Sequence, residues 1–213
     1  MKRAFTLIEI LVVITIITVL MGIIFPAMGK ARLQAQILAV NAELRDIGIA
    51  LEAYAMENND KYPPTRVDCS VGEHYYQLPT ELVKSQYLPQ PDSNSFMAAG
   101  IEDRFNPGYT YKYRSTGTLI YNRTVTINDG SYLWVPDGFP DDPNEQEGQF
   151  YYNQKESPVS WVLYSQGPGF DLDTMRENNY PVPKNTWYDP KISSGVIVRM
   201  RLQNGRQLGT FEN

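Results

Sequence analysis

One cysteine, Cys69, and one histidine, His74, are all that 213 residues offer of the side chains from which most metal and redox sites are built. A single cysteine excludes an internal disulfide, a cysteine-based zinc cluster and a redox pair. A lone histidine without a nucleophile motif is far more often a solvated loop residue than a catalyst. No G-x-S-x-G, HExxH or P-loop pattern occurs, so the sequence predicts a protein that is not an enzyme. Positive charge is also in short supply. The 19 Lys and Arg are outnumbered by 24 Asp and Glu, for a net charge of -5. No basic stripe follows the amino terminus, which argues against a nucleic-acid partner.

What is present begins almost at once. Residues 5–25, FTLIEILVVITIITVLMGIIF, are apolar apart from three threonines, a glycine and one ionisable side chain, Glu9. As a helix this run spans roughly 31 Å, about the hydrocarbon thickness of a bilayer. A carboxylate within such a segment costs ~3 kcal/mol on insertion scales, so it needs a function and a partner. Cleavage after Ala4 supplies one, because Phe5 then carries a free ammonium that can meet the Glu9 carboxylate of its own chain or of a neighbour.

Lys2-Arg3-Ala4 followed by Phe5-Thr6-Leu7-Ile8-Glu9 resembles the processing site of type IV pilins and type II secretion pseudopilins. The residue before the cut is usually Gly in that family and is Ala4 here. The resemblance implies that a prepilin peptidase removes residues 1–4 and methylates the amine of Phe5. It further implies that Glu9 directs assembly with other copies and other pseudopilins. The chain would then be a single-pass inner-membrane protein with a periplasmic carboxy-terminal domain, engaging a secretion assembly platform.

Past Phe25 the pattern changes character. Leu33, Ile37, Val40, Leu44, Ile47, Leu51 and Tyr54 recur at alternating spacings of four and three, the apolar stripe of an amphipathic helix. One helix is therefore expected from about Phe5 to Asn58. Its first half, 5–25, faces lipid or other copies, and its continuation, 26–58, packs on its own domain. Pro26 removes the N–H that would bond the carbonyl of Gly22, which makes residues 22–26 the expected bend. Asn58-Asn59-Asp60 and Pro63-Pro64 end the helix.

Residues 59–213 read as a globular α+β domain in which the long helix lies across a small antiparallel sheet. A helix stopping before Tyr62-Pro63, and a short second helix at Leu78–Val83 capped by Thr80, are similar to the major pseudopilin. Against that compact family domain, residues 89–160 look like an insertion. Strands are expected at Tyr109–Arg114, Thr118–Ile127, Tyr132–Val135, Val159–Ser165 and Val196–Met200, with a hairpin turn at Asn128-Asp129-Gly130 and a solvated loop at 136–149. The sequon Asn122-Arg123-Thr124 falls in one of these strands and is discounted as a glycosylation site. The tyrosines Tyr75, Tyr76, Tyr151 and Tyr152 suit either a recognition face or cross-strand packing, and packing is the commoner use.

Tyr164-Ser165-Gln166-Gly167-Pro168-Gly169 resembles the loop that holds a calcium ion in major pseudopilins, with Gly169 where that family has Asp. Asp171, Asp173 and Asp189 follow, and carboxylates two residues apart suit a hard cation. Aspartates in Gly- and Pro-rich loops also serve simply as turn residues. Both readings stand at this point. So do two neighbours of the filament reading: a surface type IV pilin or minor pilin, and, in another class, a secreted or membrane-anchored binding protein. The secreted form would be cut by an ordinary signal peptidase at Ala27-Met28-Gly29.

Overall fold

The computed structural model of the protein describes residues 6–69, 74–141, 144–169 and 180–212. The chain divides into two compact units, Met1–Ala39 and Val40–Asn213. One helix, α1 (Leu7–Glu57), supplies nearly all of the first and opens the second. It is unbroken through Gly22 and Pro26. Its end is fixed locally. The Asn58 side-chain amide donates to Tyr54 O at 2.8 Å, Asp60 N donates to Ala55 O at 2.9 Å, and Asn59 and Asp60 turn left-handed.

Within the second unit the helix buries the predicted stripe. Val40, Leu44, Ile47 and Leu51 are fully buried, so each contributes roughly 1.5–3 kcal/mol of apolar burial. They face a sheet of β5 (Lys112–Ser115), β10 (Val159–Ser165), β11 (Ile197–Leu202) and β12 (Gln207–Gly209), antiparallel throughout, in the order β12-β11-β10-β5. Close approach of helix to sheet depends on Gly48, where an added Cβ would sit 3.2 Å from Trp161 Cη2.

The opposite face of this sheet is covered too. Val162, Tyr164, Val198 and Met200 join Leu133, Val135, Tyr180 and Val182 in a second apolar core. Every residue of β5 and β10 is consequently buried. The other four-stranded sheet comprises β1 (Thr65–Asp68), β2 (His74–Tyr75), β6 (Gly117–Tyr121) and β7 (Val125–Ser131), in the order β2-β1-β6-β7. Here β1 and β6 run parallel and the other pairs are antiparallel. Two hairpins complete the unit, β3 (Glu102–Asp103) with β4 (Asn106–Thr110) and β8 (Leu133–Asp137) with β9 (Asn144–Tyr151).

The α+β class is as expected, but several local readings are corrected. The strand expected over Thr118–Ile127 is a hairpin, because Asn122 and Arg123 adopt positive φ and turn the chain between β6 and β7. The sequon therefore lies in a turn. Asn128-Asp129-Gly130, read as a turn, lies inside β7. The solvated loop at 136–149 shrinks, since its second half pairs with β8 as β9. In the short second helix, α2 (Thr80–Lys84), Pro79 holds the cap position and no side chain caps it, so Thr80 is simply the first helical residue. Leu82 is buried as expected, and Val83 is half-buried. The tyrosines pack against one another and against Arg114: Tyr75 lies 6.5 Å from Tyr76, Tyr76 carries the Arg114 guanidinium 4.6 Å above its ring, and Tyr132 lies 5.2 Å from Tyr152. Residues 89–160 carry β3 to β9, and β5 among them is an integral strand of the main sheet.

Candidate functional site

Ala4 and Phe5 lie outside the described residues, and the site begins at Thr6. Thr6 and Glu9 have the T-x-x-E spacing of a capping box, and the geometry is that of one. Glu9 N donates to Thr6 Oγ1 at 3.3 Å, while Thr6 N and Thr6 Oγ1 both donate to Glu9 Oε2 at 2.8 Å. The carboxylate is thereby aimed back at the start of the helix, where the unpaired N–H groups and the macrodipole favour a negative charge. Both bonds fall on one oxygen. Oε1 has no hydrogen-bond partner among the described residues and is left for a further donor.

Behind Glu9 the helix is apolar all round and uncovered. Every large hydrophobic side chain from Leu7 to Phe25 is exposed, and α1 is long and apolar enough to cross a membrane. The two threonines in this run are already satisfied, Thr15 Oγ1 on Leu11 O and Thr18 Oγ1 on Ile14 O, each at 2.8 Å. Glu9 is accordingly the one ionised group of the segment that can discriminate a partner. Nothing lies within 4 Å of the place a Cβ would occupy on Gly22, so the α-helix at the expected bend is uncrowded in the single chain.

Of the three aspartates expected to hold calcium, Asp171 and Asp173 lie outside the described residues. Asp189 serves a turn: its Oδ1 accepts from Lys191 N at 2.8 Å, and its own N–H donates to Ser194 O. No group of three or more His, Cys, Asp or Glu suited to a metal occurs among the described residues.

The end of β10 and the residue after it are held by a residue that the sequence did not signal. Asp103 is fully buried and accepts from Ser165 Oγ at 2.6 Å, Gln166 N at 3.0 Å and Phe105 N at 3.0 Å. Burial raises its carboxyl above the ordinary range, against the pull of those donors and of Lys112. Lys112, also buried, sits with its ammonium 5.1 Å from the Tyr109 ring centroid. Desolvation pushes the Lys112 amine down to about 8, and the charge of Asp103 limits the fall.

This shift has a stability consequence of definite sign. Below about pH 8 the lysine is charged in both the folded and unfolded states, and the folded state bears the desolvation cost. Between there and the ordinary lysine value of roughly 10.4, the folded chain has released a proton that the unfolded chain retains, so stability rises with pH by up to about 1.4 kcal/mol per unit. Urea denaturation between pH 7 and 9, below the range where the tyrosines that burial keeps protonated act in the opposite direction, should show that rise, and Lys112→Met should flatten it. An unchanged slope in the variant would assign the effect elsewhere.

Residues 1–25 match the family described as the prokaryotic N-terminal methylation motif. No curated protein and no solved structure matches the chain. The matched motif, together with a long apolar amino-terminal helix followed by small β-sheets, supports a type IV pilin-like protein, with one membrane-compatible helix among the described residues.

Proposed function

We propose that the protein is a structural subunit of a pilin-like filament, and that this filament is the pseudopilus of a type II secretion system, which helps move folded proteins across the outer membrane. The observation that carries the first step is the methylation motif over residues 1–25, leading into a helix whose apolar surface is bare on every side. A bare apolar helix is stable in lipid or against copies of itself and nowhere else. The narrower assignment rests on the helix ending before Tyr62-Pro63 and on α2, both similar to the major pseudopilin.

In this reading a prepilin peptidase cuts between Ala4 and Phe5 and methylates the new Phe5 amine. The Glu9 carboxylate of an incoming subunit then pairs with an amine at the base of the growing filament, held by an inner-membrane assembly platform. Residues 40–213 stand on the periplasmic side. Gly22 and Pro26 serve as a place where the helix can unwind, so that packed anchors adjust their register. Calcium bound by Asp171, Asp173 and Asp189 would pin the loop after β10 and would supply no chemistry.

Mass spectrometry of the amino-terminal peptide from intact membranes tests the proposal. The expected peptide starts at Phe5 and is N-methylated. A start at Lys30 would mark a secreted protein, and retention of Met1 a plain membrane anchor. Gene neighbours separate the two filament types: an outer-membrane secretin beside further pseudopilins for secretion, a retraction ATPase for a surface pilus.

A further inference from the structure

We infer that the interior of the second unit holds one small monovalent anion, of the halide class, between the Arg114 guanidinium and the hydroxyls of Tyr164 and Tyr180. The site is separate from the anchor and does not depend on how the chain assembles. It begins with a charge that lacks a counter-charge. Arg114 is buried in β5, and a buried charge is costly unless an opposite charge and a full set of hydrogen bonds meet it. The buried Asp68 and Arg199 are ion-paired with Arg123 and Glu212, Arg66 is paired with Glu81, and the charge of Asp103 acts on Lys112. Arg114 has no carboxylate partner among the described residues. Its Nη1 donates to Tyr180 O at 2.8 Å and its Nη2 to Tyr132 O at 2.7 Å, and the ring centroids of Tyr76 and Tyr132 lie 4.6 and 5.7 Å from the guanidinium carbon. These contacts reduce the cost and leave the charge unmatched. Nε is sealed from solvent and has no hydrogen-bond partner.

Two more donors share this place. In the β5–β10 register Arg114 stands opposite Val162 and Lys112 opposite Tyr164, so Arg114 and Tyr164 are diagonal neighbours on one face of the sheet. The Tyr180 ring meets Tyr164 edge-on at a centroid distance of 5.4 Å, and the Tyr180 carbonyl is one of the two that Arg114 holds. Both hydroxyls are buried, and neither has a partner. Burial pushes both well above the ordinary tyrosine range, while the nearby Arg114 charge pulls Tyr164 the other way. The two phenols therefore keep their protons and stay donors.

The donor set names the class of ligand. Three donors, one of them charged, call for an acceptor that carries negative charge. A water has two lone pairs for three donors, brings two protons that need acceptors of their own, and leaves the guanidinium charge unopposed. Packed interiors contain few spaces larger than a water molecule, which keeps out sulfate and phosphate and admits a halide. The bound ion joins β5 and β10 to the segment at Tyr180, where Arg114 also holds the entry to β8 through Tyr132 O. Because the site exists only in the folded state, folding of the second unit is linked to halide concentration by mass action.

The test is urea denaturation of the full chain in non-ionic detergent micelles, with sodium gluconate exchanged for sodium chloride at constant ionic strength. Above half-saturation, each tenfold rise in chloride should raise the folded-to-unfolded ratio close to tenfold. Tyr164→Phe and Tyr180→Phe keep the ring and the guanidinium and remove one donor each. Either should raise the chloride concentration needed for half the effect about tenfold, whereas loss of a hydroxyl with no role in the site would leave the chloride response as it was. Arg114→Met should abolish the response, and where that variant does not fold the two Phe variants decide. Crystals grown with bromide in place of chloride should show an anomalous peak within hydrogen-bond reach of Arg114 Nε and both phenol oxygens. A chloride response equal in wild type and both Phe variants, no response at all, or a water at that position in bromide-grown crystals would overturn the inference.

Discussion

Glu9→Ala is expected to leave membrane insertion and leader removal intact and to cut the yield of assembled filaments at least about tenfold. The asymmetry follows from where the carboxylate sits. In a single helix it costs ~3 kcal/mol to hold in hydrocarbon, so its removal makes insertion easier. Between helices the same charge is stabilising only when a cation meets it, and that pair is lost with it. The capping box complicates the test, since Glu9 also accepts from Thr6 N and Thr6 Oγ1. Glu9→Gln resolves this, because the amide can still accept from Thr6 while carrying no charge. Thr6→Val is the converse control, costing the helix start about 1 kcal/mol while leaving the carboxylate in place. The expected order of filament yield, by electron microscopy of sheared cells, is wild type and Thr6→Val together, then Glu9→Gln and Glu9→Ala far below. Normal filaments from Glu9→Gln would reduce Glu9 to a helix cap.

The sequence showed this site more clearly than it showed the domain behind it. Glu9 stands out because an ionised residue in an apolar run is a local anomaly, and the T-x-x-E spacing of its capping partner is equally local. The stripe from Val40 to Leu51 was legible for the same reason, since a helix repeats its environment every three or four residues. The sheets were less so. Lys112 and Arg114 alternate with tyrosines, and such alternation predicts a wet face. Both side chains are buried, because the main sheet is covered on its two faces and the alternation separates two cores. The turn at Asn122-Arg123 carries no glycine, so its positive φ values leave no mark in the composition. Asn128-Asp129-Gly130 has the composition of a turn yet lies in β7, an edge strand whose neighbour β6 sets the register. The parallel pairing of β1 with β6 joins segments some fifty residues apart, and no local pattern encodes it.

Trp161→Ala is the substitution expected to cost the second unit most, roughly 3–5 kcal/mol, by loss of a large buried ring and the cavity it leaves. The ring occupies the space that Gly48 opens in α1, its edge meets Tyr62 at a centroid distance of 6.4 Å, and Nε1 donates to Glu52 Oε1 at 3.1 Å. Glu52 would keep Tyr62 Oη at 3.1 Å and Arg201 Nε at 3.0 Å, so no buried charge is stranded and the loss is chiefly one of packing. Against a typical stability of about 5–15 kcal/mol, that is a third of the total or more. Trp161→Phe retains most of the ring and forfeits one hydrogen bond to a carboxylate, a cost of about 1.5–3 kcal/mol before any repacking. Urea denaturation of the full chain in micelles should show the midpoint falling in that order with the slope unchanged. Because one side chain joins helix and sheet, far-UV circular dichroism and tyrosine fluorescence should move together. Separation of the two transitions in Trp161→Ala, with the sheet signal outlasting the helix, would mean that residues 40–57 fold onto a sheet already stable without them.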